Sequence, residues 1–224
     1  MIRNAAARSG QCSLLLAGGS TPRAIYECLA ARHRELPWAQ VHFFWGDERV
    51  VAPDDHRSNA RMAREALIDR VRCPPANVHP IPAGLLSTEA AARRYEDTLR
   101  AHFPGELPLF DLVLLGLGED AHTASIFPGS PALVESERWV MAVLTPAEPP
   151  LRITVTMRAL TAAAQLFVLV SGAGKAEALR RALDPASEPS RCPGAALRLA
   201  GERVGVVGRS GGRARLRRVT QGAA

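Results

Sequence analysis

The stretch Leu114-Leu115-Gly116-Leu117-Gly118-Glu119-Asp120-Ala121-His122-Thr123-Ala124-Ser125-Ile126-Phe127-Pro128 decides how this chain is read. Residues 110–115, apolar apart from Asp111, are of strand length and consistent with a buried strand. Gly116 and Gly118 follow where that run ends, and glycine lets a backbone turn where a side chain would obstruct. Two acids, a histidine and two hydroxyls come next. In open α/β sheets, ligands bind just past the carboxyl ends of strands. His122 is therefore the first candidate for chemistry. The same residues also suit a polar loop whose histidine bonds only to its neighbours, and the local sequence leaves both readings open.

Working outward, the same pattern recurs. Residues 12–17 read as a buried strand, followed by Gly18-Gly19-Ser20-Thr21-Pro22 and a helix with Ile25, Cys28 and Leu29 on its apolar face. Pro22 suits the first turn, where its missing N–H is not needed. Glycines, hydroxyls and a helix N-terminus together predict an anion site. Residues 41–45 predict a second strand, ending in a charged turn, Asp47-Glu48-Arg49. Ser58 caps a predicted helix over 59–70, and Ser87 begins another. Further strands are expected at 78–81, 139–144, 151–156, 165–170 and 204–207, with helices at 157–164 and after Lys175. Alternating strands and helices predict an α/β fold with a mostly parallel sheet covered on both faces. No repeat or linker interrupts it, so residues 1–224 are read as one domain.

Composition limits the partners. The formal net charge is +6, carried by arginines, with Lys175 the only lysine. The arginines scatter except at the end, where Arg209, Arg213, Arg215, Arg217 and Arg218 lie among glycines. Residues 209–224 are read as a mobile basic tail rather than a nucleic-acid site, because no aromatic residue offers a base a stacking platform. No apolar run approaches the ~20 residues that span a bilayer, and no secretion signal opens the chain. The widely spaced Cys12, Cys28, Cys73 and Cys192 read as free thiols of a cytoplasmic protein.

Several motifs fail on inspection. Gly116 to Ala121 fits the dinucleotide fingerprint, but Pro128-Gly129 arrives too soon for the helix that the fingerprint requires. Ser171 to Ala176 suggests a P-loop, but Leu169 and Ala176 stand where a glycine and a magnesium-binding hydroxyl belong. The six histidines show no metal-ligand spacing, and no nucleophile elbow is present. What remains is a set of post-strand residues rich in positive charge: the Gly18–Thr21 loop, residues 47–49, residues 118–125, Arg152 and Lys175. An arginine fork with a lysine suits a phosphate.

In this order, Leu16 to Pro22, Trp45-Gly46-Asp47-Glu48-Arg49, Ser58-Asn59, Leu115 to Pro128, Arg152-Ile153-Thr154 and Gly174-Lys175 resemble the 6-phosphogluconolactonase family. The resemblance implies a three-layer Rossmann-like fold of the deaminase/ribose-5-phosphate isomerase type. It also implies hydrolysis of 6-phospho-D-glucono-1,5-lactone in the oxidative pentose phosphate pathway. A small phosphosugar lactone is then the partner, with no metal, organic cofactor, nucleic acid or membrane, in a monomer or weak homo-oligomer. Position by position, His122 stands at the family's general base. Gly18, Gly19, Ser20, Thr21, Arg49 and Lys175 stand where the phosphate is held. Arg152 lines the same pocket, and Asp47 supports substrate hydroxyls or Arg49. Glu119 or Asp120 orients the imidazole. The rivals are a glucosamine-6-phosphate deaminase-like isomerase and a non-catalytic sugar-phosphate sensor. The chain departs from the family at Ala121 and Ala17, where glycine and serine are usual, and in its arginine-rich end. It begins about where members carry an additional helix and strand, so a shortened N-terminus is expected.

Overall fold

The computed structural model describes residues 1–210 and 213–218. In chain order its elements are α1 (Ile2–Ser9), β1 (Cys12–Leu16), α2 (Ser20–Arg32), β2 (Val41–Trp45), β3 (Asp47–Arg49), α3 (Asn59–Ala66), β4 (Val78–His79), α4 (Thr88–His102), β5 (Leu112–Gly116), β6 (Val140–Leu144), β7 (Leu151–Val155), α5 (Met157–Thr161), β8 (Leu166–Ser171), α6 (Ala176–Leu183), α7 (Pro193–Ala196), β9 (Val204–Ser210) and β10 (Arg213–Arg218). Runs without polar alternation, such as Cys12–Leu16 with its single polar Ser13, are buried along their whole length, as strands covered on both faces must be.

The main sheet runs β10-β9-β8-β5-β1-β2-β4. All neighbours are parallel except the β9–β10 pair. The chain leaves β1 toward β2 and β4, then returns to the other side of β1 as β5. That reversal opens a crevice between the carboxyl ends of β1 and β5, the usual ligand position in such sheets. Two tyrosines hold the strand ends. The Tyr26 hydroxyl on α2 accepts from Ala17 N and donates to Ala17 O, and Tyr95 on α4 does the same for Trp45. Burial raises both phenols above the ordinary range, so they stay protonated and able to donate.

Three sequence expectations change here, and one helix is added. Asp47-Glu48-Arg49 is a short strand, not a turn. It pairs antiparallel with β7 in a separate sheet of order β3-β7-β6. A three-residue strand has no period to detect, so this sheet was not foreseen. On α2, Tyr26 and Ala30 are buried while Cys28 is exposed, because the helix packs the face that begins at Pro22. Residues 2–9 form a helix that went unread. Lastly, the mobile tail is corrected over residues 209–210, which end β9, and over Arg213–Arg218, which pairs along β9. Its Arg-Ala-Arg-Leu-Arg alternation has the period of a strand, and that pattern outweighs the charge cluster. The remainder of the tail, residues 211, 212 and 219–224, lies outside the described residues.

Candidate active site

The loop after β5 is tied at many points. Gly118 N donates to His122 O and Ala121 N to Gly118 O, while Thr123 and Ile126 bridge each other. Thr123 Oγ1 donates to Gly116 O at 3.0 Å. No helix begins in this loop, in keeping with the failed dinucleotide motif. The loop's left-handed backbone falls on alanines, Ala121 (φ 67°) and Ala124 (φ 49°). Gly118 is needed for space instead: a Cβ there would overlap the His122 ring and the Asp120 carboxylate.

His122 Nδ1 lies 2.6 Å from Asp120 Oδ1, and the same oxygen accepts from His122 N at 3.1 Å. Phe127 stacks on the imidazole with centroids 4.0 Å apart. Burial alone would raise the Asp120 carboxyl, but the His122 backbone N–H and imidazole together hold it below its ordinary value. Glu119 is exposed and points its backbone carbonyl, not its carboxylate, into a bond with Arg181. Of the two acids considered for orienting His122, Asp120 is the one in contact.

The sequence-predicted residues Gly18, Gly19, Ser20, Thr21, Asp47, Arg49, His122, Arg152 and Lys175 all line one cleft of about 210 Å³. Glu119 and Asp120 do not line it. Across the sheet edge the contributions follow strand order: Lys175 after β8, His122 after β5, the Gly18–Thr21 loop after β1, then β3 and β7. Gly19 (φ 104°) precedes the N-terminus of α2, so the first N–H groups and hydroxyls of that helix face the cleft, a ready anion cradle.

The charge distribution is unusual. Arg49 and Arg152 sit directly opposite each other on β3 and β7, where like charges repel. Arg152 is buried and, among the described residues, its side chain bonds only backbone carbonyls, Pro149 O at 2.8 Å and Glu148 O at 3.3 Å. Burial lowers its guanidinium below the ordinary value, Arg49 adds to that, and Asp47 and Glu48 oppose it. Arg49 donates to Arg57 O, and its Nε is buried with no partner among the described residues. Two facing guanidiniums with an orphaned donor make a site that an anion would complete.

Asn59 and Ser125 are functional candidates that sequence reasoning did not assign. Ser125 Oγ donates to Asp47 Oδ2 at 2.6 Å. Asn59 Nδ2 donates to Asp47 O at 3.0 Å and lines the cleft. Gly18 is small because any Cβ would overlap the Asn59 amide. Glu48 caps α3 from outside: its carboxylate accepts from Asn59 N, Ala60 N, Arg49 N and Ser58 Oγ. Burial raises that carboxyl, partly offset by these four donors. The only available signal was the adjacency of Ser58 and Asn59 at a helix start.

Residues 1–205 match the family model described as glucosamine-6-phosphate isomerases/6-phosphogluconolactonase. A 6-phosphogluconolactonase of Synechocystis is 40% identical over 214 residues, covering 94% of this chain and 88% of that protein. One from Mycobacterium tuberculosis is 43% identical over 201 residues, covering 84% and 81%. Among solved structures, the 6-phosphogluconolactonase of Trypanosoma cruzi superposes with a TM-score of 0.78 at 32% identity, covering 89% of this chain and 82% of that one. That of Thermotoga maritima gives 0.77 at 33% identity, covering 91% and 88%. A monomeric glucosamine-6-phosphate deaminase shares the fold at 23% identity, with a TM-score of 0.77. The chain therefore belongs to the glucosamine-6-phosphate isomerase/6-phosphogluconolactonase family.

Proposed function

We propose that this chain hydrolyses 6-phospho-D-glucono-1,5-lactone to 6-phosphogluconate, the lactone-opening step of the oxidative pentose phosphate pathway in the cytoplasm, with His122 as general base. The observation that carries this reading is the imidazole whose Nδ1 is 2.6 Å from Asp120 Oδ1, in a cleft that also holds two facing arginines. With its Nδ1–H donated to Asp120, the ring keeps a lone pair on Nε2. The likeness of four related lactonases supports the substrate.

The reaction then runs in balanced steps. Water attacks the lactone C1 and gives its proton to His122 Nε2, which forms a tetrahedral oxyanion. Arg152 and the N–H groups lining the cleft stabilise that charge. Collapse breaks the bond from C1 to the ring oxygen, and the imidazolium returns its proton to that oxygen. The phosphate is held by Arg49, Lys175 and the start of α2, which fixes its distance from the reacting carbon. Asp47 acts as a positioning residue: Ser125 and Asn59 bind its carboxylate, and its remaining lone pairs can accept a substrate hydroxyl.

The test is product formation. Lactone loss above the spontaneous rate, with 6-phosphogluconate accumulating, is the expected result. Ammonia release from glucosamine 6-phosphate would establish the deaminase instead. Tight binding of 6-phosphogluconate with no acceleration would establish a sensor.

A further inference from the structure

The fold gathers three histidines that no sequence spacing connects. His42 lies near the start of β2, His79 ends β4 and His102 ends α4. One ring nitrogen from each lies within 4.8 Å of the others. None of the three lines the catalytic cleft. His42 is at the amino end of its strand, whereas the cleft opens at the carboxyl ends.

We propose that His42, His79 and His102 form a binding site for a single divalent transition-metal ion of the zinc type, separate from the lactone site. His42 Nδ1 and His79 Nε2 are 3.1 Å apart. Two nitrogens bound to one tetrahedral ion at 2.0–2.1 Å stand about 3.3 Å apart, so this pair already spans one edge of the polyhedron. The His102 nitrogen, within 4.8 Å of the other two, would move inward to complete the set. The positions are set by backbone pairing: Ser13 opposite His42 across β1–β2, and Phe44 opposite His79 across β2–β4.

Apolar rings wall the group. Phe44 packs on His79 at 4.6 Å and on His102 at 4.9 Å, and Phe103 meets His102 edge-on at 4.8 Å. Such a shell fixes ring orientation and limits water, as it does around known metal sites. A donor set of imidazoles alone selects zinc, copper, nickel or cobalt over magnesium and calcium. Three protein ligands leave one position for water or for a donor from outside. The bland alternative is a stacked histidine pair joined by one hydrogen bond, which needs no ion.

Titration of the chelator-treated full chain with Zn²⁺ and with Co²⁺ separates the two readings. One equivalent bound, visible bands of tetrahedral Co²⁺, and a thermal midpoint raised by Zn²⁺ are expected. His102→Phe and His79→Gln, tested separately, should each weaken metal binding roughly tenfold or more. His122→Ala should leave the Zn²⁺ affinity unchanged. Far-UV circular dichroism and a cooperative thermal transition matching wild type report that the His102 and His79 variants have folded. Failure of the wild-type chain to bind Zn²⁺, binding that survives loss of either histidine in a folded variant, or binding lost with His122 would each overturn the proposal.

Discussion

Ala121 holds φ at 67° while fully buried beside the histidine. A left-handed backbone costs a non-glycine residue roughly 1–2 kcal/mol. Ala121→Gly would relieve that strain, but it loosens the unfolded chain by about 0.4–1 kcal/mol and removes a buried methyl worth about 0.8 kcal/mol. We expect chemical denaturation to find the glycine variant within about 1 kcal/mol of wild type. Ala121→Val, branched at a positive φ in a full site, should lose about 3 kcal/mol or more. Alanine and glycine should then be nearly equivalent at this position, because the two effects nearly cancel. Asp120 gives a second prediction at this scale. Its folded-state carboxyl is held below its ordinary value, so the charged form favours the native state. The stability it contributes is complete above about pH 4 and is lost as pH falls through the lower native value. Stability curves of Asp120→Asn should be flatter on the acid limb than those of wild type, and a parallel limb would contradict the pairing.

At the level of elements, the Asp47 carboxylate ties the short strand β3 to the histidine loop through Ser125. Both residues are buried. Ser125→Ala leaves a buried charge with one donor fewer and should cost roughly 1.5–3 kcal/mol. Its kcat should fall along with that of His122 variants, because the loop loses its anchor. A variant of wild-type stability would show the bond to be idle. This is also where the sequence reading reached its limit. Strands such as that of residues 112–115 announce themselves as unbroken apolar runs, and the Gly18–Thr21 loop announces itself by glycines beside hydroxyls. Strands β6 and β7 were legible as strands, but not the antiparallel pairing of β7 with β3, because it depends on contacts between segments about a hundred residues apart in the chain. The same limit hid the three histidines, whose spacing is set by the sheet and α4 rather than by the chain.

For the whole molecule, the cleft draws residues from both sheets and from the start of α2, so a ligand there stabilises only the assembled fold. Mass action predicts about 2.7 kcal/mol of added stability at a hundred times the dissociation constant. For a domain of this size that raises the thermal midpoint by about 5–10 °C. 6-Phosphogluconate should produce this shift in wild type. At the same concentration it should produce far less in Lys175→Ala, whose only lysine charge is gone. An equal shift in both would remove Lys175 from the phosphate site.

The central claim is that His122 moves the proton while other residues hold the substrate. Steady-state lactone hydrolysis, corrected for the spontaneous reaction, should therefore be measured for wild type and His122→Ala in parallel, with 6-phosphogluconate affinity determined for both. The account predicts kcat lower by roughly 10²–10⁴-fold with product affinity nearly unchanged. Undiminished kcat in a folded His122→Ala would contradict it.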